Sequence, residues 1–199
     1  HELARQAILE ALADDRRIAS HRAVLHALET RPQADASLSR LAHHAAAAGD
    51  TDAILRWSPA AAEQAAAAGS HREATAHYAT ALRHAGAVAD HERLALLEAY
   101  AREAYMTGVY AASRDARRSA VDLGRSLGEN RRLGDNLAQL TFPCIAFGLN
   151  DEAEQASRES IEVLERLPPG PELARAYALQ ARLRMLSRDN ADGVRWGER

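Results

Sequence analysis

Histidine is the residue type in this chain with the most obvious chemistry to offer, and nine are scattered along it. His43 and His44 are neighbours, which suggests a metal pair. Adjacent residues on a helix, however, point about 100° apart, so two such rings do not easily hold one ion together. His77 and His84 lie two turns apart on one helix face, too far for a single zinc without a third element. The expectation is therefore surface or core-edge histidines and no metal site. Cys144, the single cysteine, falls at a small packing position and reads as a buried structural thiol. A nucleophile would need a nearby base and an activating environment. The acid pairs Glu152-Glu154 and Glu159-Glu162 read as solvated helix faces, with Arg158 and Arg166 each four residues after a glutamate, the favoured order for helix ion pairs. No constellation here suggests an enzyme, and no cofactor is expected on these residues.

The elements that must position these groups are helices. The stretch Leu41 to Ala85 holds two near-copies of one device: an Ala-rich helix, a glycine stop, and a polar residue that starts the next helix. AAAAG ends at Gly49 before Asp50 and again at Gly69 before Ser70. From the N-terminus, apolar spacing predicts a helix over Glu2–Ala13. Another follows over about Arg16–Glu29, capped by Asp14-Asp15 and ended by Arg31-Pro32. Asp35 or Ser37 opens a third, stopped by Gly49. Asp50 or Thr51 caps the next, in which Ser58-Pro59 either kinks the helix or restarts it; a kinked helix to Ala68 is expected. Ser70 and Glu73 form a capping box for Ala74–His84, and Gly86–Asp90 is a loop. Three hairpins follow: Glu92–Thr107 with Tyr110–Ser126, Arg131–Phe147 with Asp151–Leu167, and Pro171–Ser187 with Ala191 onward. Leu167-Pro168-Pro169-Gly170-Pro171 is a firm break. No stretch alternates at period two, so β content should be near zero.

Composition sets outer bounds. The 199 residues are 47% hydrophobic but only 5% aromatic, and the net charge is −3. Nothing resembles the clustered basic face that nucleic acid requires. No apolar run is long enough for a transmembrane helix, and no signal peptide is visible. One cysteine excludes an intrachain disulfide framework and fits a reducing, cytoplasmic setting.

The second helices begin near residues 70, 110, 150 and 190, a period of about 40, as in helical-repeat arrays. Leu137, Leu140, Thr141 and Cys144, the turn at Gly148 and the small residue Ala153 fit the tetratricopeptide pattern. Leu97, Tyr100, Ala101 and Ala104 with Gly108 fit comparably, although the next small residue falls one position early at Ala112. The last copy, Tyr177, Gln180, Ala181 and Arg184, has Arg188 in place of the glycine and Gly193 in place of the alanine. The expected fold is all-α: tetratricopeptide-like hairpins stacked as a right-handed α-solenoid, since one hairpin cannot bury its apolar stripe alone. In that register the first helices point Glu98, Arg102, Tyr105, Asp135, Phe142, Arg175, Arg182 and Met185 into a groove suited to a peptide or small ligand. Trp57 and Trp196 read as inter-helix packing residues.

The segments HELARQAILEAL, LAHHAAAAGD, HREATAHYATALRHAG and LPPGPELARAYALQARLRMLSRDNADGVRWGER resemble the helical region of large ATP-binding LuxR-family transcriptional regulators of the AAA/STAND type. The resemblance implies a sensor and interaction region between a nucleotide-binding module and a helix-turn-helix. It also implies contact with the other domains of the parent and with a protein or small-molecule inducer. ATP and Mg would be bound, and DNA contacted, elsewhere in the parent; neither a Walker loop nor a reading helix is present here. The ends, His1 and Trp196-Gly197-Glu198-Arg199, read as cuts within a longer protein. Residues 1–33 are expected as a helical pair linking to an upstream domain, and 34–199 as a truncated repeat array whose uncovered ends favour self-association. The alternative is a stand-alone adaptor for a protein partner.

Overall fold

A computed structural model describes residues 13–30 and 37–199. It contains α1 (Asp14–Glu29), α2 (Leu38–Ala48), α3 (Thr51–Ala67), α4 (His71–Arg83), a short 3-10 turn (Ala85–Ala87), α5 (Asp90–Met106), α6 (Tyr110–Leu127), α7 (Asn130–Ala146), α8 (Asn150–Leu164), α9 (Pro171–Leu186) and α10 (Asn190–Gly197). No strand occurs among the described residues. The chain divides into two compact units, His1–Val88 and Ala89–Arg199. The helix expected over residues 2–13, except its last residue, which is the N-cap of α1, the break at Arg31-Pro32 and the expected boundary at 33/34 lie outside the described residues.

The helix ends follow local chemistry, with two corrections. Asp50 caps α3 as expected, its carboxylate accepting from the Ala53 amide at 3.0 Å. Asp14 and Asp15 do not cap α1. Ala13 holds that position, and the two carboxylates sit in the first turn, where they face the positive end of the helix dipole. The Ser70–Glu73 capping box does not form. Ser70 is the N-cap but makes no side-chain cap bond, and Glu73 instead accepts from the Ser39 hydroxyl on α2 at 2.8 Å. A carboxylate committed to a neighbouring helix is lost to its own helix end. Pro59 does not restart a helix, in keeping with the single helix expected to Ala68: α3 runs continuously from Thr51 to Ala67. The Ser58 hydroxyl beside it is buried with no hydrogen-bond partner.

In the first unit, Leu25 and Leu28 of α1 pack with Leu41 and Ala45 of α2 and with Ala53 and Ile54 of α3, flanked by Trp57. The Trp57 indole donates to Glu29 at 2.8 Å. In the second unit one core joins Val121, Leu133, Leu137, Leu140, Cys144, Ala153, Ala156 and Leu183. Another joins Ala138, Ile161, Leu164, Ala176 and Leu179, with Tyr177 and Trp196 against it. Both tryptophans therefore pack between helices.

The repeat register is legible in the buried faces. Helix α6 buries Ser113, Ala116, Arg117, Ala120, Val121 and Gly124. Helix α8 buries Ala153, Ala156, Ser157, Ser160, Ile161 and Leu164. The second set is the first displaced by forty residue numbers at every position. Helix α4 buries Ala74, Tyr78 and Ala81 in the same phase. The small position of the α5–α6 hairpin is thus Ser113, not Ala112. The Ser113 hydroxyl can occupy a site that asks for a small side chain because it donates to the Ala101 carbonyl at 2.7 Å. Gly193 holds the same place in α10, where an added Cβ would lie 3.4 Å from the Ala181 carbonyl oxygen. At the tight turns, Gly108 and Gly148 take φ of 77° and 71°, and Arg188 is forced to 64° in the same role.

Candidate functional site

The eight residues nominated for a groove lie on α5, α7 and α9 of the second unit, and the contacts sort them into two groups. Glu98, Asp135 and Arg175 belong to a polar network that links successive hairpins. Arg132 of α7 grips Glu98 of α5 with both ends of its guanidinium, at 3.1 and 2.7 Å. The hydrogen bonds to Glu98 hold Arg132 more basic than usual. The Asn136 amide donates to the same carboxylate at 2.7 Å. Further along α7, Gln139 donates to Asp135 at 2.7 Å, and Asp135 pairs with Arg175 of α9. These carboxylates are already neutralised and are not free to meet a cationic ligand.

At the centre of the network is a residue outside the nominated set. Arg117 of α6 is only 4% exposed. Its guanidinium donates to Asn136 Oδ1 and to Gln139 Oε1, each at 2.6 Å. Burial lowers its pKa to about 10, opposed by the charges of Asp135 and Glu98, so it remains a cation at neutral pH. The signal was present in the sequence: Arg117 stands four residues after Ser113 and three before Ala120, on the apolar stripe of its helix. Its counterpart in the next hairpin, Ser157, has the same linking role, donating to Gln180 of α9 at 2.7 Å.

The second group forms a shelf. The Tyr105 and Phe142 rings lie 5.6 Å apart, and the Arg182 guanidinium sits 5.3 Å from the centre of the Phe142 ring, within cation–π range. Arg182 has no carboxylate partner among the described residues. Arg102 is 60% exposed at its side chain and touches only the edge of the Glu103 carboxylate, at 3.1 Å. Arg102, Tyr105, Met106 and Phe142 surround a cavity of about 110 Å³ with Ala101 and Ser113 among its lining. Met185, 57% exposed, borders a separate open cleft of about 500 Å³ with Arg182 and Val194.

Other candidates resolve plainly. Cys144 is fully buried, and burial pushes its thiol up to about 12, the opposite of what a nucleophile requires. The acid pairs are not simply solvated faces. Glu152 takes both ends of the Arg118 guanidinium, at 2.8 and 2.6 Å. Glu159 pairs with Arg125 at 2.7 Å, and Glu154 with Arg184. Arg158 stays 3.9 Å from Glu154, because that carboxylate is drawn to the neighbouring helix. His77 meets Glu73 at 3.5 Å, and His84 meets the Thr51 hydroxyl at 3.1 Å. His43 and His44 are joined by His21 of α1, a third element that spacing along one helix does not reveal. Burial, and then the neighbouring His43, lowers the pKa of both His21 and His44.

Hairpins of buried small residues at a fixed period, with left-handed turn residues between them, are the tetratricopeptide plan. The fold is that of TPR-like repeats. It is similar to two crystal structures of the nearly identical TPR-like repeats of a Podosopora anserina protein named as a kinesin light chain. One, a variant form, has a TM-score of 0.67 and 14% identity over 94% of each chain. The other has a TM-score of 0.65 and 15% identity over 92% of each. It is also similar to BtubC (BKLC) from P. vanneervenii, with a TM-score of 0.58 and 18% identity over 92% of this chain and 69% of that one. No protein-family model matches the chain, and no curated protein matches it. At such identities the likeness is one of fold. No described helix is long and apolar enough to cross a membrane.

Proposed function

We propose that this chain is a non-catalytic protein-interaction region, and that the shelf on α5, α7 and α9 takes a short peptide carrying an aliphatic or aromatic side chain next to a carboxylate. The observation that carries the reading is the shelf itself. Its aromatic rings and the small cavity beside them suit one apolar side chain. Arg182, with no acidic partner described, and the exposed Arg102 suit a negative group beside it. Glu98, Asp135 and Arg175 act as the frame rather than as contacts, since they neutralise one another's neighbours within the network.

The test is an arrayed peptide library probed with the whole chain and with Arg102→Glu/Arg182→Glu. The expected result is enrichment of sequences pairing Asp or Glu with Leu, Phe or Trp, lost in the double variant. Equal binding of the two proteins across the array would overturn the reading.

Two settings accommodate such a region. One is the sensor segment of an ATP-dependent LuxR-family regulator, supported by the resemblance of the HELARQAILEAL and LPPGPELARAYALQARLRMLSRDNADGVRWGER segments. There the partners would be the parent's own domains or an inducer, with ATP, Mg and DNA bound elsewhere. The other is a stand-alone adaptor. Both place the protein in the cytoplasm. Reading the gene on either side separates them: a P-loop upstream and a helix-turn-helix downstream belong only to the first.

A further inference from the structure

We propose that His21, His43 and His44 in the first unit form a binding site for one divalent transition-metal ion of the zinc type. The three rings come from two helices, His21 from α1 and the adjacent pair from α2. Their ring centres form a near-equilateral triangle with sides of 5.0, 5.1 and 5.6 Å. Three imidazoles bound tetrahedrally, with bonds of about 2.05 Å and a ring radius of about 1.15 Å, place their centres about 5.2 Å apart. The cluster therefore already has the outline of a loaded site. One candidate ligand nitrogen from each residue can be chosen so that all three lie within 4.8 Å of one another.

The closest pair, His21 Nδ1 and His44 Nδ1, are 2.9 Å apart. A tetrahedral ion needs about 3.3 Å between ligand atoms, so the two rings must part by a few tenths of an ångström. In the metal-free protein one of these nitrogens donates a hydrogen bond to the other. On binding, the donor ring moves its proton to its other nitrogen, and both Nδ1 lone pairs face the ion. The objection that adjacent histidines diverge on a helix holds for an isolated helix. It fails here because His21 arrives from a second helix and supplies the third corner.

The scaffold is firm. Leu25 and Leu28 of α1 are packed against Leu41 and Ala45 of α2, so the helix that carries His21 is fixed against the one that carries the pair. The ligand type, not the charges nearby, sets the kind of ion. Arg17 and Arg40 act on the cluster electrostatically, and Arg17 is paired with Asp14 at 2.7 Å. No carboxylate belongs to the cluster among the described residues. Three neutral nitrogen ligands with no carboxylate disfavour hard, oxygen-seeking ions such as Mg and Ca and suit zinc, nickel or copper; the two arginines oppose any cation alike and do not choose among them. A water or hydroxide would complete the fourth corner, and the bound ion would staple α1 to α2.

The test is zinc titration by calorimetry of the whole, tag-free chain after chelator treatment, beside the triple variant His21→Gln/His43→Gln/His44→Gln and the single variants His21→Gln and His43→Gln. One zinc per wild-type chain is expected, with none at this site in the triple variant. Each single variant should bind at least about tenfold more weakly, since even the outer partners of metal ligands are worth that much. Cobalt(II) should give the visible absorption of a four-coordinate ion in the wild type alone. Circular dichroism checks that each variant is folded; His43 is exposed, so its single variant keeps the test decisive should the triple variant unfold. Absence of saturable zinc binding, or stoichiometry and affinity unchanged by the His21 and His43 substitutions, would overturn the proposal. The outcome is independent of whether the shelf in the second unit binds peptide.

Discussion

At the scale of the residue, Arg117 shows how much one buried cation can organise. Its two fork nitrogens are used on two neutral amide oxygens of α7, and those amides in turn address Glu98 and Asp135. Removing the guanidinium strands one buried acceptor, on Asn136, and one half-buried acceptor, on Gln139, and takes a positive charge away from two carboxylates. Arg117→Met keeps the length of the side chain and loses both donors. Urea denaturation should show it less stable by about 1–3 kcal/mol, the cost of the one buried acceptor left unsatisfied, with a smaller loss at the half-buried Gln139. Arg117→Lys should recover less than half of that, because an ammonium is a point donor and cannot span two acceptors held for a planar fork. Little of this was open to sequence reasoning. The spacing of Arg117 on the buried stripe was readable, but its partners Asn136 and Gln139 lie 19 and 22 residues away, and only the folded hairpins bring them within reach. Cys144 is the contrasting case. Its place at a small packing position was enough to anticipate an inert thiol, because burial is the largest influence on it and the Glu152 carboxylate acts in the same direction.

At the scale of the element, the hairpins are set by close approach and by their turns. Gly134 of α7 lies so near α8 that an added Cβ would fall 2.4 Å from Leu164 Cγ, and the Ser160 hydroxyl of α8 donates to the Gly134 carbonyl at 2.7 Å. Helix length and phase followed from apolar spacing; this contact did not, since nothing in the order of residues says which glycine faces a neighbour. The turn at Arg188 is more instructive. Five other helix-to-helix turns use glycine in the left-handed region, at Gly49, Gly69, Gly108, Gly128 and Gly148, while Arg188 adopts φ of 64° with a full side chain. The backbone bonds there are those of its glycine counterpart: Asp189 N reaches Arg184 O at 2.9 Å, as Leu149 N reaches Cys144 O. The turn is therefore imposed by the packing of α9 and α10 in spite of the residue. Left-handed backbone costs an L-residue about 1–2 kcal/mol, and glycine returns part of this through its freer unfolded chain. Arg188→Gly should stabilise the protein by about 0.5–1 kcal/mol, a small rise in the thermal midpoint at unchanged helical content.

At the scale of the whole molecule, the fold class came from a period, and periods survive imperfect copies. The buried positions Ser113, Ala116, Arg117 and Ala120 repeat as Ala153, Ala156, Ser157 and Ser160, although only the Ala116–Ala156 pair is identical. Place is preserved even where size is not, as at Arg117 and Ser157, which is why the helical plan is similar to proteins sharing 14–18% of its sequence. The division at Val88 and Ala89 could not be read from that period, because the device of helix, turn and helix continues on both sides. What separates the units is where long-range contacts concentrate. The second unit has its own cores around Leu137 and Leu164 and a polar network that begins at Glu98 and ends at Arg175, all within Ala89–Arg199. In repeat proteins stability is close to a sum over units and their nearest interfaces. A fragment of residues 89–199 should therefore fold by itself, with a helical circular dichroism spectrum and a cooperative melt. Within it, Arg117→Met should lower the midpoint in the same direction as in the whole chain. A fragment that is unfolded or melts without cooperativity would overturn the reading that the second unit carries a sufficient core of its own.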